Sequence, residues 1–476
     1  MELKLHNTLT KNIEVFKPIN NGHVSMYACG PTVYDLTHIG HMRKYVMDDI
    51  LKCTLAYLGY EVKHVMNITD VGHLASDGDE GEDKLEKGAV KEGKSVWDVA
   101  AEYTEYFFNT MDALNVVRPN ETPKATDHVK LMTEMVERLL ANGHAYKTHQ
   151  AIYFDTTTYP AYGQLSGQKL ADKQVAVRDD VISDPDKKHP ADFALWFFCF
   201  GRFENHVMRW SSPGPVGPEP VEGFPGWHIE CSAMSTHYLG DQIDIHTGGI
   251  DHIPVHHENE IAQSMCSHHY STDQHFVNYW LHYDFLNVDG EKMSKSKNNF
   301  YTLDDIREHQ INPLAMRLYF MGTSYRKPLN FTWDGATSAN NIYTKIMTQA
   351  MALHGDNTKG SINENYINNF KLALCDDLNT ARALAVVFEL LGDKNIIDAD
   401  KYATLIDMDK VLGLDIEKTV IALSSIPKNI IELVEKRKLA KEVKNYKLAD
   451  DLRAEIDIAG YEIIDAGDGY KIIKKL

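Results

Sequence analysis

The chain has 476 residues, 25% charged and 43% hydrophobic, with a formal net charge of −19. That length excludes a single hydrophobic core and predicts two to four domains. The excess of acid argues against a uniformly polyanion-binding surface, and six scattered cysteines read as thiols, not a disulfide framework. No apolar run reaches the ~18 residues of a membrane span, and "MELKLHNTLTKNIEVF" has no apolar signal region. The expectation is a cytoplasmic protein with no membrane partner.

"GHVSMYACGPT" (22–32) reads as a buried strand stopped by Gly30-Pro31. A helix is predicted from about Met42 to Leu58, closed by Gly59, and "EVKHVMNIT" (61–69) reads as the next strand. This is a βαβ unit with a parallel sheet. Residues 95–114 and 128–142 carry helical periodicity. From 145 to 225 short β-like runs alternate with polar turns, ending in the Pro/Gly-dense stretch 211–227. "QIDIHTGG" (242–249) reads as a returning strand, and "PVHHENEIAQSM" opens a helix behind Pro254. Two further strands are predicted to meet at Asp289-Gly290, followed by a polar loop. From Leu303 the pattern is almost all helix, closed by a hairpin around Gly467 and Gly469.

Two short stretches carry phosphate chemistry. In "THIGH", His38 and His41 bracket Gly40 at a predicted helix N-terminus, where N–H groups and the helix dipole favour an anion. Gly40 admits a close approach, and two imidazoles can donate to oxygens as charge builds in a transition state. In "KMSKS", Lys292 and Lys295 supply cations and Ser294 and Ser296 supply hydroxyls on a loop able to close over pyrophosphate. Either alone is more often a solvated surface feature. A third constellation, Cys29, Cys231, His256 and Glu260, offers two thiolates, an imidazole and a carboxylate suited to zinc. His256 and Glu260, four apart, share a helical face. His228, His246, His252 and His257 lie nearby as alternative ligands, supports behind the ligands or substrate contacts.

In this order, about 250 residues apart, the first two motifs resemble the paired signatures of class I aminoacyl-tRNA synthetases. "CGPTVYDLTHIGHMR", "NITDVGHLASDGDEGEDKL", "FPGWHIECSAM", "GGIDHIPVHHENEIAQS" and "KMSKS" are together similar to the cysteinyl-tRNA synthetase family, in family order and across the catalytic region. The resemblance implies an α/β fold: a Rossmann-like class I synthetase catalytic domain with an inserted connective region, then a C-terminal helical bundle and a small α+β anticodon-binding tail. The corresponding divisions are 1–144, 145–225, 226–334, 335–425 and 426–476.

The same resemblance implies ATP binding by Thr37, His38, Gly40, His41 and Lys295, and catalysis by His38, His41, Lys292 and Lys295. It places Thr69 and Trp227 in an amino-acid pocket and makes Cys29, Cys231, His256 and Glu260 the ligands of one Zn2+. The implied substrates are L-cysteine, ATP with Mg2+, and tRNA(Cys), handled by a monomer. Physics is consistent with a zinc-held thiolate. An apolar pocket separates near-isosteres such as cysteine and serine only about 10–200-fold, whereas zinc selects a thiolate. Four protein ligands usually close a zinc site, so Glu260, the hard oxygen ligand, is the candidate to yield to substrate sulfur.

Residues 428–476 hold 11 Lys+Arg against 10 Asp+Glu, while the remainder holds 38 against 58. Lys436, Arg437, Lys438, Lys441, Lys444 and Lys447 concentrate positive charge there, which suits an RNA backbone. Two rivals remain at this point. One is an amide-forming ligase sharing the catalytic core, which would not need this tail. The other is a zinc protein that only binds RNA, which would have no use for an ATP site. The stretch 211–223 is longer and richer in Pro and Gly than the family pattern, and the proline of "IPVHH" sits one residue early, predicting a small change where the helix begins.

Overall fold

The computed structural model describes residues 1–476 apart from 73, 77–79, 169–183, 215–220, 269, 271–273, 295, 296, 298, 355–359, 425, 426, 444, 467, 468, 475 and 476. Lys295, Ser296, Lys444, Gly467 and residues 215–220 of the Pro/Gly stretch therefore lie outside the described residues.

Four parallel strands form the central sheet, in the order Val277–Tyr283, Ile243–Gly249, His23–Ala28, Glu61–Met66. Such strands are covered on both faces and so read as near-continuous apolar runs. Helix α1 (Ile39–Tyr57) covers one face, packing Met47, Leu51 and Leu55 against Val24 and Met26. Tyr27 and Val65 point the other way, toward Cys231 and Ile261 on α5 (Trp227–Leu239) and α6 (His256–Ser267). Between them in sequence lie α2 (Lys84–Glu92), α3 (Val96–Ala113) and α4 (Val129–Ala141).

Helix α1 begins at Ile39, three residues before the predicted start. The reason is the cap. His38 Nδ1 accepts from the N–H groups of Gly40 (3.1 Å) and His41 (3.4 Å), a role usually filled by Ser, Thr, Asp or Asn. The helix ends as expected at Leu58, with Gly59 at φ +96°.

Residues Ala145–Lys147, Ala151–Phe154, Phe193–Phe198, Glu222–Pro225 and Trp210–Ser211 form a separate antiparallel sheet. Buried Glu258 ties this region to α6: its carboxylate accepts from the backbone N–H groups of Gly163 (2.8 Å), Leu165 (3.1 Å) and Ser166 (2.9 Å). Helix α6 follows a short 3-10 turn, Ile250–His252, that leads into Pro254.

Asp289 (φ 49°) and Gly290 (φ 80°) form the tight turn between Leu286–Val288 and Glu291–Lys292. What escaped the sequence reading includes two short strand pairings. Leu329–Phe331 interrupts the helical region and pairs in parallel with Leu286–Val288. Lys4–Asn7 forms a hairpin with Asn12–Val15, and Asn7 binds the edge strand through Trp280 N–H (3.1 Å). Both are three or four residues long, too short for periodicity to declare them.

From Trp333 the described chain is helical up to a final hairpin, Tyr461–Ala466 against Gly469–Lys474. Buried Arg317 locks α1 to this region, pairing with Asp49 and reaching the carbonyls of Leu412 and Leu114. Lys428–Glu442 and Tyr446–Ile458 pack on the hairpin through Ile430, Val434, Ile456 and Ile463. Lys436, Lys438, Lys441 and Lys447 are exposed, but Arg437 is turned inward, 5% exposed.

Candidate active site and metal centre

The strand order reverses between His23–Ala28 and Ile243–Gly249, and ligands bind beyond the carboxyl ends of strands at such a point. A cavity of about 450 Å³ opens there. Cys29, Cys231 and His256 lie at its floor, Thr69 and Trp227 on its wall, and His38, Gly40, His41, Lys292 and Met293 at its rim. Glu260 is fully buried behind the floor. Thr37 is buried and does not line the cavity.

Ligand atoms of Cys29, Cys231, His256 and Glu260 all fall within 4.8 Å of one another, and all four residues are at most 3% exposed. Glu260 Oε1 is 3.0 Å from His256 Nε2, and its Oε2 is 2.9 Å from His246 Nε2. Cys29 Sγ is 3.2 Å from His257 Nε2. A second overlapping set, Cys29, His246, His257 and Glu260, is equally compact. Of the other nearby histidines, His252 lines the cavity, and His228 Nδ1 is 2.9 Å from His256 Nδ1.

Burial raises the Cys29 thiol, yet its hydrogen bond with Cys231 and the imidazoles of His257, His252 and His256 hold it well below its usual range. Cys231 is held well above, by burial and by Cys29. Burial opposes a charge on His256, but the Glu260 carboxylate lifts it to about 10. Two sulfurs, an imidazole and a carboxylate gathered out of water make an S2NO donor set that fits zinc.

On the wall, Thr69 Oγ1 donates to Glu230 Oε2 (2.9 Å) and accepts from Asn67 Nδ2 (2.9 Å). Asn67 Oδ1 accepts from Gly30 N–H (2.8 Å). Burial pushes Glu230 well above the carboxylate range, against the Thr69 hydrogen bond. The Trp227 ring packs 4.4 Å from that of His256. Glycine is required twice here by contact alone. A Cβ at Gly30 would lie 1.5 Å from Asn67 O, and one at Gly248 would lie 2.5 Å from His257 Cε1.

Sequence reasoning missed Asn67, Glu230 and Glu258, which resemble ordinary surface residues. The sequence held no signal for them; the structure shows residues 228–235 of α5 buried all round, leaving no solvated stripe for Glu230. Sequence reasoning also missed Lys44, whose Nζ reaches Cys29 O and pairs with Asp48 at 2.8 Å.

The two signature stretches meet at the rim. The His38 and His41 rings stack at 3.6 Å. His41 Nδ1 accepts from His38 N–H at 3.5 Å, and His38 Nδ1 accepts from the helix. With both Nδ1 atoms accepting, each neutral ring carries its proton on Nε2. His41 is exposed within the cavity mouth, and the crowding of its neighbours holds it below its usual range. Ile39 N–H binds Tyr301 O (2.9 Å), Phe300 packs edge-on to His38, and a Cβ at Gly40 would lie 2.8 Å from Met293 Cε.

Residues 15–341 match the catalytic domain of class I (C) tRNA synthetases, and 369–416 match the DALR domain. The solved structure of a leucyl-tRNA synthetase from Agrobacterium radiobacter superposes with a TM-score of 0.61 at 11% identity, covering 87% of each chain. A Mycobacterium tuberculosis methionyl-tRNA synthetase superposes at 0.57 with 13% identity, covering 85% of this chain and 94% of its own. Fold and domain match together define a class I tRNA synthetase. Among curated relatives, the cysteine–tRNA ligase of Treponema denticola is 43% identical over the full length of both chains. That of Thermus thermophilus is 36% identical over 98% of each. The chain belongs to the cysteine–tRNA ligase family.

Proposed function

We propose that the protein activates L-cysteine with ATP and transfers it to the 3′-terminal ribose of tRNA(Cys). The observation that carries this reading is the convergence of Cys29, Cys231, His256 and Glu260 at the floor of a cavity whose rim joins His38, His41 and Met293. A cysteine carboxylate oxygen attacks the α-phosphorus. The bond from that phosphorus to the bridging oxygen breaks, releasing pyrophosphate. The Nε2–H groups of His38 and His41 donate to phosphate oxygens as charge builds. Gly40 leaves room for the nucleotide, and Lys292 and Lys295 supply positive charge to the pyrophosphate. In the second step a ribose hydroxyl, by class analogy the 2′-hydroxyl, attacks the acyl carbon and AMP leaves.

Thr69 and Trp227 shape the amino-acid pocket, with Asn67 and Glu230 fixing the Thr69 hydroxyl. A Zn2+ held by Cys29, Cys231, His256 and Glu260 would supply thiolate binding and hence selectivity over serine. The exposed lysines of Lys428–Glu442 and Tyr446–Ile458 would face the tRNA backbone, in a monomer acting in the cytoplasm.

The test is transfer of labelled cysteine to a tRNA transcript with a GCA anticodon, with ATP and zinc. Charging that disappears when the anticodon is removed supports the proposal. Adenylate formation without charging would favour an amide-forming ligase on the same core.

A further inference from the structure

A second cluster of metal-ligating side chains lies outside this cavity. Ligand atoms of Asp83, Glu86 and His206 fall within 4.8 Å of one another. His206 Nε2 is 3.0 Å from Asp83 Oδ2 and 3.8 Å from Glu86 Oε1. The side chains of His206 and Asp83 are each 3% exposed, and that of Glu86 is 28% exposed.

Each group is aimed by a bond from elsewhere. His206 Nδ1 is 2.8 Å from Met208 O, a carbonyl that can only accept, so Nδ1 carries a proton and donates it. The His206 ring stacks on Phe224 at 3.8 Å and 5°. Asp83 spends Oδ1 on the N–H groups of Leu85 (2.7 Å) and Glu86 (3.0 Å), which leaves Oδ2 toward His206. Glu86 Oε1 accepts from Val207 N–H (2.6 Å). In a neutral ring, Nε2 would then present a lone pair to a carboxylate oxygen at hydrogen-bonding distance. Something positive must lie between them, with a second carboxylate beside it. Imidazoles that bind metals usually donate their other N–H to a carbonyl or carboxylate, as His206 does.

We propose that Asp83, Glu86 and His206 form a second divalent-cation site of the zinc class, with one open position on the partly exposed side of Glu86. One imidazole and two carboxylates match the nitrogen and oxygen ligands such ions accept. The site is a clip between three segments. Asp83 caps α2, His206 belongs to the region inserted between the halves of the parallel sheet, and Gly72 lies so close that a Cβ there would sit 1.7 Å from Asp83 Oδ2. Gly72 follows Thr69 by three residues, so the bound ion braces the cavity wall against the insertion.

The test is metal content of the full-length chain, stripped, reloaded with Zn2+ at micromolar free concentration and desalted. His206→Asn is expected to bind one equivalent fewer than wild type. In the Co2+-loaded form, the thiolate-to-metal charge-transfer band should be unchanged by His206→Asn, because no sulfur belongs to this cluster. Glu86→Gln, which retains an acceptor for Val207 N–H, serves where His206→Asn fails to fold. It should weaken the second equivalent by about 10-fold or more. Equal metal content in wild type and both variants would overturn the proposal and leave a proton as the charge between His206 and Asp83.

Discussion

The floor and the rim of the cavity are built on opposite principles. At the floor, Cys29, Cys231, His256 and Glu260 are buried, and each is held by neighbours that are themselves buried. At the rim, Glu291 and Lys292 are exposed; among the described residues, Asn299 bonds Ser294 N–H (2.7 Å) and Lys292 O (3.3 Å), and Lys297 pairs with Glu291 (2.8 Å) at the surface. A buried polar network holds one arrangement because every alternative strands a group without a partner. A solvent-exposed loop opens at lower free-energy cost than a buried network. On the proposed function this divides the labour: the buried floor serves selectivity, and the exposed rim serves phosphate capture and release.

Variants at the two levels should therefore fail differently. The largest rim effect is expected for His41→Ala, which on the proposed mechanism removes a donor to the developing phosphate charge. Adenylate formation should fall about 100- to 1,000-fold in kcat with little change in the KM for cysteine. Pyrophosphate exchange measures both, and a change confined to KM would break the division. Gly40→Ala should cost less, about 10- to 100-fold, by pushing Met293 off α1. Pairing it with Met293→Ala should restore part of that loss, and an unimproved double variant would place the clash on the His38 ring instead.

Below these in effect lies a stability change outside the cavity. Glu258→Ala leaves the N–H groups of Gly163, Leu165 and Ser166 without their acceptor. The expected loss is about 2–4 kcal/mol by denaturant titration. Smallest is a pH effect in the helical region. Burial raises Asp409 from 3.8 to about 6 against the N–H bonds of Ile416 and Leu414. The native state then binds more protons than the unfolded chain. This contribution is fully present below pH 3.8 and is lost as pH rises through about 6. Asp409→Asn should flatten that slope, by at most about 3 kcal/mol across the window.

How much was legible follows from where the signal lies. The parallel sheet showed as apolar runs, and the Asp289-Gly290 turn showed in residue type, because only such residues favour both positive φ angles. The start of α1 did not show, since histidine is an uncommon cap. At the site, the cysteines, His256 and Glu260 stood out as ligand types, and the structure brings them together. Asn67, Glu230 and Glu258 did not stand out, because a buried charged or amide side chain looks like a solvated one until its partners are placed. Lys295 lies outside the described residues.

The division of labour is tested most directly by the ratio of kcat/KM for cysteine over serine in adenylate formation, for wild type and Cys231→Ser. If the floor holds a thiolate-selecting metal, wild type should exceed the roughly 10–200-fold limit of shape discrimination, and Cys231→Ser should fall to it. An unchanged ratio in a folded Cys231→Ser protein would contradict the account and move selectivity to the wall around Thr69 and Trp227.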